Sequence, residues 1–522
     1  MVAGNGIWRY VGGAESANVV YQTPVTKYGA FLAAQHAIYV NDFDNAARFS
    51  KTLENTDYAI VKNTQFMSEF LSGKLPAGVE ILKKEKNTAA RLIYDAYLAE
   101  RGDWDEMYKR HKNDESALAS PLRIWSSVAT KRQKDALKFI DTLQTNDSWK
   151  AFVRGQIYAV SGDAAAAAKS FADVRTDFLN INDYLYIMSF YRHNNMNDAA
   201  DDLRDDFTSR PGGMFMLGYD NIPDWSSFSG YKNALAFSLL QNVSHTQIMM
   251  YSDLAILMLR FAEIVGPGFA KDNDAINYYI GQFFYNNSGD YQKHFDKISH
   301  NSPFYSFAIL RAAEKNNDIS RLEREVENNP LFVPALNKLI AYHIQNGNRS
   351  RALQTVNRAI KTKNLNDVGQ AFFKKSRAHI YYVFGDLDKA QSDLRAASDV
   401  LATDGEILSL QAKIWAARNR EIDNAYEYAM TLVRQNPADI FAWDTLGRVV
   451  HAREGADEAL DILARVGEMA NSCSALFEHL GDLYMEKGNE KLARDSYIRA
   501  IELSDDGLIV VPNVRKKLRK IK

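Results

Sequence analysis

The stretch FEHLGDLYMEKGNEKLARDSYIRA, residues 477–500, decides the fold. Phe477, Leu480, Gly481 and Tyr484 recur at steps of three and four residues, which places them on one face of a helix. Gly488-Asn489 then interrupts the pattern. Glycine ends a helix in the left-handed conformation, and the asparagine side chain caps the helix that follows. Ala493, Tyr497 and Ala500 line the inner face of that second helix. Two antiparallel helices approach closely only where small residues meet, here Gly481 and Ala493, while Leu480, Tyr484 and Tyr497 fill the space around them. The stretch therefore reads as a helical hairpin, and a lone hairpin cannot bury its apolar face without a neighbour.

The same turn signal recurs at Asn41-Asp42, Gly102-Asp103, Gly162-Asp163, Gly289-Asp290, Asn317-Asp318, Gly347-Asn348 and Gly385-Asp386. The small position recurs as well, at Ala390, Ala425, Ala459 and Ala493, with Ala352 and Leu322 continuing the series less regularly. Upstream, Ala46, Met107, Ala136, Ala167 and Ala200 occupy the equivalent place, with Tyr158 and Phe171 packing around the Ala167 hairpin. The spacing predicts an all-α solenoid of helical hairpins.

Trp443-Leu446-Gly447 followed by Ala459, the final copy from Phe477 to Ala500, and the helix-ending prolines Pro330 and Pro437 resemble the tetratricopeptide repeat motif. The resemblance covers most of residues 28–504 and is strongest from about residue 331 onward. The layout, including the Ser302-Pro303-Phe304-Tyr305 turn, is similar to that of long alphaproteobacterial tetratricopeptide proteins. The resemblance implies a right-handed superhelix. The expected organisation is an N-terminal extension (1–27), a degenerate array (28–207), an irregular loop (208–230), degenerate repeats (231–330), a C-terminal array (331–504) and a basic tail (505–522).

With 63 Lys+Arg against 65 Asp+Glu, the formal charge of −2 argues against a general polyanion binder, and no nucleic-acid partner is expected. The single cysteine, Cys473, lies at a helix start and reads as a small packing residue. Met1 to Ala14 lacks the charged start and apolar block of a secretory signal, so the expectation is a cytoplasmic protein, or a periplasmic one if a signal precedes this sequence. Ile248 to Val265 is interrupted by Ser252, Asp253, Arg260 and Glu263 and reads as a buried helix, not a membrane span.

Motifs for chemistry are missing. There is no phosphate loop, zinc-binding HExxH helix or GxSxG nucleophile turn, and Gly4-Asn5-Gly6 has Arg9 where a dinucleotide fingerprint needs glycine. His36, His343 and His479 read as partly buried helix residues. No catalytic residue, metal site or cofactor is expected. The segment 208–230 holds Arg210-Pro211-Gly212-Gly213, Gly218, Pro223 and Gly230, too many turn residues for a helix, together with Phe215, Tyr219, Trp225 and Phe228. It reads as a packed connector between two halves of the array, or as a loop that folds over the groove or contacts a partner. An enzyme site there would have only Arg210, Asp220 and Asp224 to work with.

In tetratricopeptide arrays the first helix of each hairpin faces the groove. Carried onto this sequence, the ligand-facing positions are Lys375, His379 and Tyr382; then Leu410, Ile414 and Arg418; then Phe441, Asp444, Arg448 and His451; and finally Glu478, Asp482, Met485 and Glu486. Asp444, Arg448, Glu478 and Asp482 are expected to face solvent and support no core contact. Chaperone-binding members hold a terminal carboxylate with a Lys and Asn clamp. Here His379 follows Lys375, Gln411 stands in the next repeat, and Phe441 and Thr445 take the last places, so that clamp is absent. The expected role is a non-catalytic scaffold that docks a peptide or helix of another protein in its groove. An accessory subunit of an envelope or secretion assembly is the rival reading. The tail, with Arg515, Lys516, Lys517, Arg519, Lys520 and Lys522, reads as the solvated end of a capping helix or a weak contact with an anionic surface.

Overall fold

The computed structural model describes residues 26–53, 58–116, 118–245, 253–266, 268–269, 274–287, 289–470 and 472–521. The Gly4-Asn5-Gly6 segment and Lys522 lie outside them. Among the described residues every regular element is helical, and most helices pair into antiparallel hairpins. The fold is all-α and built of tetratricopeptide-like helical hairpins. It forms two compact units, one of residues 1–207 and 219–311, the other of residues 208–218 and 312–522.

The turn signal works as its chemistry demands. Asn41, Gly102, Gly162, Asn317, Gly347, Gly385 and Gly488 all have positive φ, between 50° and 85°. The N–H of the next residue then reaches back five positions to a carbonyl: Asp42 to Ala37 at 2.8 Å, Asp163 to Tyr158 at 3.0 Å, Asp386 to Tyr381 at 2.8 Å and Asn489 to Tyr484 at 2.8 Å. This bond satisfies a carbonyl left open at the helix end. The side chains of Asp42, Asp163, Asp318, Asp386 and Asn489 meanwhile accept from the first turn of the following helix. Gly289-Asp290 departs from the rule. Gly289 is not in the left-handed region, and its own N–H bonds the Phe284 carbonyl at 2.8 Å, so the closure falls one residue earlier than the signal places it. Lys131 and Asn195 make the same turn, with φ of 62° and 56°, although no Asp or Asn follows them.

Small residues sit where the helices cross. A Cβ at Gly155 would overlap the Phe171 ring, at Gly447 the Leu463 side chain, and at Gly481 the Tyr497 ring. Ala46, Met107, Ala136, Ala167, Ala352, Ala390, Ala425, Ala459 and Ala493 are all 0% exposed. Ala459→Leu and Ala493→Leu are each expected to cost about 1–3 kcal/mol through overpacking, read as a lower denaturation midpoint. Wild-type stability in both variants would remove these alanines from the crossing points.

The first unit departs from a solenoid in which each repeat meets only its sequence neighbours. Its hairpins include Thr88–Arg101 with Trp104–His111, Ser120–Ala129 with Gln133–Thr142, and Asp147–Val160 with Ala164–Ala172. Tyr231–His245 returns to pack on Ser120–Ala129 and Asp147–Val160, and Asp253–Val265 returns to Thr88–Arg101. Both returning helices bury side chains on most sides, so apolar residues run around them with little regard to face. Polar side chains fix their register. Trp125 donates Nε1–H to Ser238 Oγ at 2.8 Å, and Arg260 donates Nε–H to the Leu71 carbonyl at 2.8 Å. Buried Asp183 accepts from Gln241 at 2.9 Å and pairs with His245 at 2.6 Å. Burial opposes protonation of His245, but the Asp183 carboxylate outweighs it and raises its pKa.

The segment 208–230 divides between the units. Phe215 meets Phe332 in the second unit, at 5.5 Å between ring centroids. Trp225 and Phe228 stand against the fully buried Tyr186 in the first, at 5.3 and 5.0 Å. Short 3-10 turns, Met214–Gly218 and Trp225–Ser227, replace the fully irregular loop expected from its glycines and prolines. Asp220 accepts from Arg204 at 3.0 Å, and Asp224 caps the second turn through Ser226 N–H at 2.9 Å. Both carboxylates are thus engaged in structural bonds.

Candidate functional site

In the second unit the first helices of five hairpins, Val333–Gln345, Asp367–Val383, Gly405–Ala417, Ile440–Arg453 and Ser474–Glu486, line a cleft of about 940 Å³. Its other wall is the chain's own Asp506–Val510, together with Asn513. After the last hairpin, the turn Ser504–Asp506 sends the chain back to the first hairpin of the unit. Gln345 donates to Ser504 Oγ at 2.7 Å, and His379 Nε2–H donates to the Gly507 carbonyl at 3.3 Å. The Asp506 carboxylate accepts the Ser474 N–H at 2.7 Å and hydroxyl at 2.6 Å, which places an anion at the start of helix Ser474–Glu486. Ile509 and Val510 are buried behind it. Burial pushes His379 below the ordinary imidazole range, so it is neutral near pH 7 and suited to donating to that carbonyl.

Two charge clusters form part of the helical wall. Asp444, 0% exposed, pairs with Lys413 Nζ at 2.9 Å and Arg448 Nε at 3.1 Å, and Arg448 also donates to the Ala475 carbonyl at 2.8 Å. Burial alone would raise the Asp444 pKa, yet Arg448 and Lys413 together hold it well below the usual carboxylate range. Lys375 Nζ meets Asp404 at 2.8 Å and Glu406 at 2.7 Å. Burial disfavours its ammonium, but the two carboxylates overcome this and raise its pKa. Ser409 and Thr445 share a hydrogen bond of 2.7 Å that ties neighbouring first helices together.

Of the sequence-derived groove positions, Lys375, His379, Tyr382, Leu410, Phe441, Asp444, Arg448 and Glu478 line the cleft. Arg418, His451, Asp482 and Glu486 fall outside its lining, as do Ile414 and Met485. Arg418 pairs with Asp388 at 2.5 Å. His451 bridges Glu486 at 3.1 Å and His479 at 3.3 Å, and burial drives His479 well below its ordinary pKa.

The solvent-facing reading is corrected for Asp444, while Arg448, Glu478 and Asp482 keep partial exposure but are tied into ion pairs. Asp444 is interior because two cations on its own and the adjacent first helix enclose it. Glu478 and Asp482 are held by Lys517, at 2.8 and 2.6 Å, and Asp482 also accepts from Tyr497 OH at 2.8 Å. Arg448 is committed to Asp444 and the Ala475 carbonyl.

The tail is likewise anchored, not simply solvated. Val511–Leu518 is a helix whose Val511 and Val514 are buried, although Arg515, Lys516, Arg519 and Lys520 stay exposed. A signal for this was present in the apolar run Leu508-Ile509-Val510-Val511 within a segment read only for its charge. Lys413, Asp404 and Glu406 were also missed as cleft residues, and nothing in their local sequence marks them.

The other sequence-flagged groups have structural settings. Cys473 is 1% exposed, and burial pushes its thiol up to about 12, as suits a packing residue. His343 and His479 are buried, whereas His36 is exposed. Among the described residues no group of three or more His, Cys, Asp or Glu side chains is placed to hold a metal ion. No helix among them is long and apolar enough to cross a membrane.

No family model matches the chain, and no curated protein matches it. Among solved structures it is similar to a chain of the APC/C hetero-tetramer Cut9-Hcn1, at 12% identity and a TM-score of 0.34, covering 96% of this chain and 97% of that one. It is also similar to yeast Tom70, at 13% identity and a TM-score of 0.24, covering 95% and 96% of the two chains. Coverage is nearly complete while the TM-scores are low, so the fold rests on the hairpins themselves.

Proposed function

We propose that the protein is a non-catalytic scaffold that holds an extended segment of another protein in the cleft of its second unit. The observation that carries this reading is the cleft's construction: it runs past the first helices of five hairpins and faces a non-helical stretch of the chain's own backbone, Leu508–Val510. That stretch illustrates how such a wall receives a chain, with the Ile509 and Val510 side chains buried and the preceding Gly507 carbonyl taken by His379. A mixed polar and apolar lining is what a peptide groove needs for both affinity and orientation.

Ser376 tests the reading. It lies half-buried on the wall, and its hydroxyl bonds only its own helix backbone, at Phe372. Ser376→Trp is expected to fill the cleft without a large change in melting temperature. Affinity capture from the native cell should then lose the proteins retained by the wild-type chain. Retention of the same set by a folded Ser376→Trp protein would remove the cleft from the function.

A further inference from the structure

The charges around the cleft are unequal. Among the described residues that line it, three cations, Lys375, Lys413 and Arg448, face six carboxylates, Asp404, Glu406, Asp439, Asp444, Glu478 and Asp506. All three cations are already engaged. Lys375 is shared by Asp404 and Glu406, while Lys413 and Arg448 both serve Asp444. Lys517 reaches in to offset Glu478. Asp439 and Asp506 receive only uncharged donors here, Phe441 N–H for the first and the Ser474 and Leu508 groups for the second. The Glu406 side chain is 80% exposed and can turn toward an incoming cation while Asp404 retains Lys375.

The aromatic lining points the same way. Phe372, Tyr382 and Phe441 line the cleft, and Phe441 is 43% exposed. The Lys375 ammonium already lies 5.1 Å from the centre of the Phe372 ring. A cation over an aromatic face is attracted by the ring's quadrupole. Acidic surplus and exposed rings together favour cationic side chains carried on an otherwise apolar chain.

We propose that the occupant of the cleft is a basic extended segment of a partner protein, in which Lys or Arg residues alternate with apolar ones. This rests on the reading of the cleft as a peptide groove. The cations would meet Glu406, Asp439 and Glu478, the apolar side chains would meet Phe441, Leu410 and Ile340, and the segment would lie opposite Leu508–Val510. An acidic segment would face the surplus carboxylates with every cleft cation already paired.

The test is selection of a displayed random dodecapeptide library on the full-length chain, run in parallel on Ser376→Trp. The expected result is a set of peptides enriched on the wild-type chain alone, with a clear excess of Lys and Arg over the starting library. Affinity of a synthetic peptide from that set should fall about three- to tenfold in the Glu406→Gln/Glu478→Gln double variant at low salt, as suits two partly exposed ion contacts. The double variant retains Asp404 for Lys375 and Asp482 for Lys517, so its melting temperature is expected to hold. Cleft-dependent peptides that are neutral or acidic would overturn the basic occupant and leave the groove standing. Absence of any peptide that distinguishes wild type from Ser376→Trp would overturn both.

Discussion

Asp444→Asn is expected to destabilise the second unit by about 3–5 kcal/mol, because it leaves the largely buried Lys413 and Arg448 without their shared counter-charge. For a unit of this size that corresponds to a fall of roughly 10 °C in the melting midpoint. The loss comes from desolvated cations, not from a missing contact. Replacing all three residues together, Lys413→Met, Asp444→Leu and Arg448→Leu, should therefore recover most of the stability. The pH dependence follows from the direction of the shift. Asp444 has a lower pKa folded than unfolded. Its contribution is then complete above the ordinary carboxylate range and is lost only as the pH falls through the depressed folded value. Denaturant titrations at pH 7 and pH 5 should show the same Asp444→Asn penalty. A penalty under about 1 kcal/mol at both values would place this pair outside the interior.

Gly507→Val is expected to cost about 2–4 kcal/mol, combining left-handed backbone strain with overpacking. Gly507 has a φ of 72°, and a Cβ there would come within 2.6 Å of the Ala341 backbone and methyl group. Backbone at that distance cannot swing aside as a flexible side chain would. The variant should loosen the segment that forms the second wall of the cleft. Limited trypsin digestion should then cut faster within Arg515–Lys520, alongside the lower midpoint. Unchanged stability and cleavage would mean that the return crossing is not closely packed.

The hairpins were legible because their determinants are local. Gly488-Asn489 both ends one helix and caps the next, and Gly481 meets Tyr497 sixteen positions later, inside one repeat. Such pairs recur with the period of the repeat, so their spacing alone reveals them. Gly289 was misplaced by one residue, and the Lys131 and Asn195 turns were missed, because their caps lack the usual side chain.

The groove was only half legible. Its helical wall could be assigned from position within each repeat, which placed Lys375, His379, Tyr382 and Phe441 along it. Position could not tell which charges would neutralise one another. Asp444 looks the same in sequence as an exposed groove aspartate, and it is interior because Lys413 from the adjacent first helix closes on it opposite Arg448.

The sequence by itself determined the helical hairpins, their turns and the small residues at their crossings, since each depends on residues within about one repeat of each other. Tertiary structure alone decided that Tyr231–His245 and Asp253–Val265 return to the first unit's earlier hairpins and that Asp506–Val510 walls the cleft of the second. Many of those contacts join residues more than a hundred positions apart, such as Trp125 with Ser238 and His379 with Gly507. No repeat period encodes them, because they depend on how successive hairpins bring distant surfaces together.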